Sequence, residues 1–208
     1  MPPASLAADA GNAVMGVITS IDASLRSSRY SHATRVNVAQ GLYDFDCSGL
    51  AAWVLARAAP RAHRAVLARA GGERPLARDY YHAMAAARAP SRGWAPVARV
   101  ADARPGDVIA WLKPAIVRSA NTGHVAFVVG APEPLEGVPG GFLLRIADAS
   151  SYQHENDSRA GTGRTGFGFG TILVVADEVT GAPRAYGWFG RDSAWVLETS
   201  IAIGRPQG

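Results

Sequence analysis

One cysteine, Cys47, stands in the run Asp46-Cys47-Ser48-Gly49-Leu50, and two titratable residues, His124 and Asp148, stand at the ends of apolar runs further along the chain. An aspartate before an apolar stretch is a favourable N-cap, so a helix is predicted from about Cys47 to Ala59 with the cysteine in its first turn. Unused backbone N–H groups and the positive end of the macrodipole favour a thiolate over a thiol there. A free cysteine is otherwise a small buried hydrophobe, so the position alone leaves both readings open. His124 opens the run Val125 to Val129, and Asp148 closes a run that starts near Phe142. If these are neighbouring antiparallel strands, the histidine and the aspartate meet at one end of a sheet. A helix N-terminus packed at that end completes a nucleophile, a base and a carboxylate that sets the base's tautomer.

The order Asp-Cys-Ser-Gly at a helix start, Pro105-Gly106-Asp107-Val108 before a strand, and Gly123-His124-Val125 opening the next strand resembles the NlpC-type cell-wall peptidase superfamily. The likeness covers roughly residues 43 to 150. It implies a papain-like cysteine hydrolase, acting in most members on peptidoglycan stem peptides, with Cys47 as nucleophile, His124 as base and no cofactor or metal. The family's third polar residue is commonly a histidine, and Asp148 stands at that place here. Many members carry a tyrosine and paired glycines upstream of the cysteine. This chain has Tyr30 and Tyr43 there and no Gly-Gly, so either tyrosine, with Ser48 and the backbone N–H of Cys47, is a candidate for holding the substrate carbonyl.

The elements that must position these groups read as an α+β domain, with helices first and then an antiparallel sheet of about five or six strands. Apolar residues at Val14, Val17, Ile18, Ile21 and Leu25 predict an amphipathic helix over 5–27, and the catalytic core is expected over about 43–203. Pro60 can open a second helix that Gly71-Gly72 ends, and 76–89 reads as a third, bounded by Pro90. Strands are expected at 108–112, 125–129, 142–148, 171–176, 184–189 and 195–203. Residues 28–45 read as an approach loop, in which His32 is taken as a surface histidine, and 113–121 as one wall of the cleft. Residues 150–170 read as a flexible loop, with His154 a spare candidate for the third catalytic position. Gly161 to Gly166 match a dinucleotide fingerprint in spacing only, because a strand and not a helix follows. Trp188, Phe189 and Trp195 are expected in the core.

With 208 residues, of which 48% are hydrophobic, the chain is long enough for one domain with a substantial core. The net charge of +4 comes from scattered arginines and forms no basic stripe interleaved with aromatics, which speaks against nucleic acid. A single cysteine excludes internal disulfides and cysteine-rich metal sites. No signal peptide is visible and no apolar run is long enough to span a membrane, so a cytoplasmic protein or one exported by a signal-independent route is expected, acting as a monomer on a peptidoglycan fragment or another peptide. An antibacterial amidase toxin of the same superfamily and a non-catalytic binding module on the same fold are the alternatives.

Overall fold

The computed structural model describes residues 4–88 and 93–208. Among the described residues it is α+β, with four α-helices and a large antiparallel sheet of nine strands. The first helix, α1 (Ala4–Ser24), buries Val14, Ile18 and Ile21, the spacing that one helical face requires. A short hairpin follows, β1 (Arg35–Asn37) and β2 (Leu42–Asp44), inside the stretch expected to be loop. Helix α2 (Cys47–Ala58) starts at its predicted cap and buries Leu50, Ala51, Val54 and Leu55. Pro60 opens α3 (Pro60–Arg69), since its missing N–H has no acceptor to lose at that position. Helix α4 (Ala77–Ala85) starts where the Asp79 carboxylate accepts the Leu76 N–H at 2.8 Å, and it ends before the expected boundary. That boundary, Ala89-Pro90, lies outside the described residues. No described helix is long and apolar enough to cross a membrane.

The strands are β3 (Trp94–Val97), β4 (Val108–Leu112), β5 (Gly123–Val128), β6 (Glu133–Pro134), β7 (Gly141–Ser150), β8 (Gly166–Ala176), β9 (Pro183–Gly187), β10 (Leu197–Glu198) and β11 (Ile201–Pro206). Their order is β10-β9-β8-β7-β5-β4-β11-β3, with β6 beside β7. The expected five or six strands become nine for two reasons. Strands β3 and β6 are too short to show a period, and the segment read as one strand over 195–203 is two. Its first half pairs with β9 and its second with β4 and β3, so the chain passes between opposite regions of the sheet within a few residues. The Thr199 N–H donates to the Arg184 carbonyl while the Ser200 carbonyl accepts the Leu112 N–H. A flat sheet would hold β4 and β9 about 19 Å apart, at roughly 4.8 Å per strand. Yet the Trp111 and Tyr186 rings lie 4.7 Å apart, so the sheet curls strongly.

The curl produces two cores. Val108, Ala110, Val125, Phe127, Ala147 and Ala149 face the helices, while Ile109, Trp111, Ala126, Val128, Leu144 and Ile146 face the inside of the curl. Both faces of the central strands are buried, which is why they read as unbroken apolar runs. Helix α2 lies across β5 and β7 on the helix side, and this brings Cys47 to the end of the sheet where His124 stands.

Candidate active site

Asp46 does more than cap α2. Its Oδ1 accepts the Gly49 N–H at 2.7 Å, the Ser48 hydroxyl at 3.1 Å and the Arg74 guanidinium, and its Oδ2 is 2.9 Å from His32 Nδ1. Burial opposes the charge on Asp46, but the bonds from His32, the Gly49 N–H and Arg74 outweigh it and hold the carboxyl below its usual range. The glycine of the motif leaves space: a Cβ on Gly49 would come within 2.5 Å of Thr34 Oγ1. Buried Tyr80 donates its hydroxyl to the Ser48 carbonyl at 3.1 Å, which fixes the first turn from the other side. Cys47 is therefore held at the mouth of a rigid helix end whose first N–H groups have no intrahelical acceptor.

His124 is placed by the register of β4, β5 and β7. It stands opposite Trp111, and Phe127 stands opposite Ala147, so alternation turns His124 and Asp148 to the same face. Gly123 just before it has φ +143 and lies so close to the Trp111 carbonyl that any side chain would collide. His124 Nε2 is 2.8 Å from Asp148 Oδ2, as the strand pattern predicted. Since the carboxylate accepts, Nε2 carries the proton and Nδ1 is the nitrogen left for the cysteine. Burial alone would lower the His124 pKa, but the charge on Cys47, the hydrogen bonds to Asp148 and Cys47 and the charge on Asp148 together raise it to about 10. The Trp111 and Trp188 rings flank the imidazole at 5.0 and 5.1 Å.

His154 binds the same carboxylate. Its Nε2 is 2.8 Å from Asp148 Oδ2 and its Nδ1 is 3.1 Å from the Trp188 carbonyl oxygen. The other Asp148 oxygen accepts from Arg159 at 3.0 Å, and Arg159 is paired in turn with Asp157 at 2.7 Å. Asp148 has no exposed surface, and burial would raise its pKa, yet the charge on His154, the bonds from both histidines and the charge on Arg159 hold it far below the carboxylate range. The segment read as a flexible loop is thus an ordered part of the site. Residues 154–159 are bonded to β8 through Glu155 O to Thr171 N and Ser158 N to Phe169 O, both at 2.8 Å. Gly166 to Gly170 belong to β8, with Gly168 opposite Asp148 and Gly170 opposite Ile146. These glycines make room for the cluster, because a Cβ would come within 2.7 Å of Arg159 Nε at Gly168 and within 2.6 Å of His154 Cβ at Gly170. The alternation of Gly166, Gly168 and Gly170 with Phe167 and Phe169 has the strand period and could have identified the strand.

The cleft has two recesses that meet at His124. One, of about 180 Å³, is walled by Tyr30, His32, Arg74, Cys47 and 120–123; the other, of about 130 Å³, by Trp111, Lys113, Tyr186 and Trp188. Tyr30 reaches the first because Ser27–Ser31 runs beside Leu42–Phe45, with the Ser31 N–H donating to the Phe45 carbonyl at 2.9 Å. Burial, then the charges on Cys47 and Asp46, push its hydroxyl up to about 12, so it stays a donor. Tyr43 is not at the site. It is 1% exposed, packs on Phe45 and Trp53, and its hydroxyl meets Ser24 Oγ at 2.7 Å. Strand alternation turns it into the helix-side core. Ser48 lines the recess, but its hydroxyl is committed to Asp46. His32, read as an ordinary surface residue, stands on the rim bonded to Asp46, and Arg74 comes from the turn after α3, a position no local pattern singles out. Of the three aromatics assigned to the core, Trp188 packs against the inner core and also lines the cleft, while Phe189 and Trp195 are 42% and 45% exposed. They follow the end of β9, beyond the curled sheet's inner face. Comparison with family models, with curated proteins and with solved structures yields no match to this chain.

Proposed function

We propose that this protein is a cysteine hydrolase of the papain-like type, cleaving an amide bond in a peptide substrate. The observation that carries the reading is Cys47 at the N-terminus of α2, lining the same recess as His124, whose Nε2 is held at 2.8 Å by buried Asp148. In this reading the Cys47 thiolate attacks the carbonyl carbon, and negative charge gathers on the carbonyl oxygen. In this reading the Cys47 N–H and the hydroxyl of Tyr30, which lines the same recess, receive that charge. The C–N bond breaks as His124 passes its proton to the leaving amine, leaving a thioester on Cys47. His124, now neutral, takes a proton from water, whose oxygen attacks the thioester, and the acid product departs as the thiolate and imidazolium pair is restored.

Peptidoglycan stem peptides are the proposed substrate class, on the resemblance of the Asp-Cys-Ser-Gly and Gly-His-Val motifs and on an open cleft with polar groups on one side of His124 and aromatic rings on the other. Digestion of purified muropeptides, read by mass spectrometry, tests both parts. Cleavage at one amide bond by the native protein and none by Cys47→Ser is the expected result. Intact muropeptides alongside turnover of other peptides would remove the cell-wall assignment, and turnover by Cys47→Ser would overturn the mechanism.

A further inference from the structure

We propose that His154 is a positioning residue which, with Arg159, clamps the Asp148 carboxylate from behind and offsets its charge, so that Asp148 orients His124 without locking it as an imidazolium. This rests on the cysteine-hydrolase reading of the site. Both nitrogens of His154 face acceptors, the Asp148 carboxylate at 2.8 Å and the Trp188 carbonyl at 3.1 Å. A carbonyl oxygen cannot donate, and a carboxylate bonded by three donors has no proton to give, so the ring donates through both nitrogens and carries a positive charge. Its side chain is fully buried and its backbone N–H is tied to Asp157 Oδ2 at 2.8 Å.

The charged groups around His154 are Asp148 on β7, Asp157 and Arg159 on the loop, and Glu155, whose carboxylate is taken by Arg191 at 2.7 Å. His154, Arg159, Asp148 and Asp157 therefore form a buried set of two cations and two anions, balanced before His124 is counted. The Nε2 atoms of His124 and His154, each 2.8 Å from one oxygen, lie within about 6 Å of each other, close enough for one charge to move the other's proton affinity. A lone buried carboxylate would hold the His124 proton too firmly for transfer to a leaving amine. The balanced cluster keeps the hydrogen bond and weakens the hold.

The test is a ring-nitrogen NMR titration of His124 in Cys47→Ser, where the thiolate that raises its pKa is gone, compared with the Cys47→Ser, His154→Gln double variant. Glutamine keeps a donor to Asp148 and removes the charge. The expected result is that His124 holds its proton to higher pH by roughly one unit in the double variant. No shift, or a shift downward as a merely loosened Asp148 would cause, overturns the proposal. Should the double variant fail to fold, the native protein still decides: protons on both His154 ring nitrogens at neutral pH support the proposal, and a singly protonated ring defeats it. Neither readout needs substrate, so a native protein without hydrolase activity would count against the cysteine-hydrolase reading and leave the His154 measurement standing.

Discussion

Two tyrosines upstream of the cysteine are told apart by what their hydroxyls touch. Tyr30 opens into the recess beside Cys47, and Tyr43 is closed in against Ser24. Tyr30→Phe is expected to lower kcat by about 10²-fold, the usual loss of one oxyanion donor. Tyr43→Phe is expected to leave kcat unchanged and cost about 0.5–1.5 kcal/mol in urea denaturation. The reverse pattern would exchange their roles. Asp148→Asn removes the negative charge and replaces one of the two oxygens that accept from His124, His154 and Arg159 with an NH2 donor. The rate is expected to fall by roughly two to four decades, with a loss of about 3–5 kcal/mol because a buried, multiply bonded ionic group is broken while Arg159 keeps only Asp157. Full activity in a folded Asp148→Asn protein would remove Asp148 from the site. In the native protein, kcat/KM is expected to decline as pH rises through about 10, where His124 loses the proton that the proposed mechanism has it give to the leaving amine.

At the level of elements, β8 is built around what it leaves out. Its glycines lie under His154 and Arg159, so the strand serves the site by having no side chains there. Gly170→Ala forces a Cβ against His154 and is expected to destabilise by about 1–3 kcal/mol, as overpacking does. It should also lower kcat, because His154 is the partner of Asp148. A stability loss with unchanged kcat would show that the strand only fills space. Helix α2 behaves differently, since its start depends on Asp46 and on three contacts from other segments, His32, Arg74 and Tyr80. The helix end that carries Cys47, the proposed nucleophile, is braced from three directions, which suits a group whose position must hold within a fraction of an ångström.

For the whole molecule, pH dependence follows from groups whose proton affinity folding changes. The lowered pKa values of Asp46, Asp148 and Asp157 give stability that is present above the unfolded carboxyl range near 3.8 and lost as pH falls through the lower folded values. The raised pKa of His124 acts in the opposite sense. Its contribution is complete below about 6.5 and is lost as pH rises through about 10. Urea midpoints measured across pH should therefore decline on the alkaline side between these values. In Cys47→Ser the alkaline decline should end at lower pH, because the charge that helps to raise His124 is absent. An alkaline limb identical in both proteins would mean that Cys47 and His124 do not interact.

The features determined by the sequence alone are those whose causes are local. Asp46 caps α2 because its carboxylate needs only the next three residues, and Pro60 opens α3 by its own covalent geometry. Strands over 108–112, 125–129 and 142–148 follow from apolar runs, and the meeting of His124 with Asp148 follows from consecutive strands pairing antiparallel. The tertiary structure alone decided the rest of the site. That His154 and Arg159 close on Asp148 depends on a strand register between β7 and β8 and on space left by glycines, which composition presents as a loop. That Tyr30 rather than Tyr43 faces the cysteine depends on one stretch of chain lying beside another. That Trp188 reaches His124 depends on the curl that folds β9 toward β4. Each of these is set by packing between segments far apart in the chain, and no window of neighbouring residues contains it.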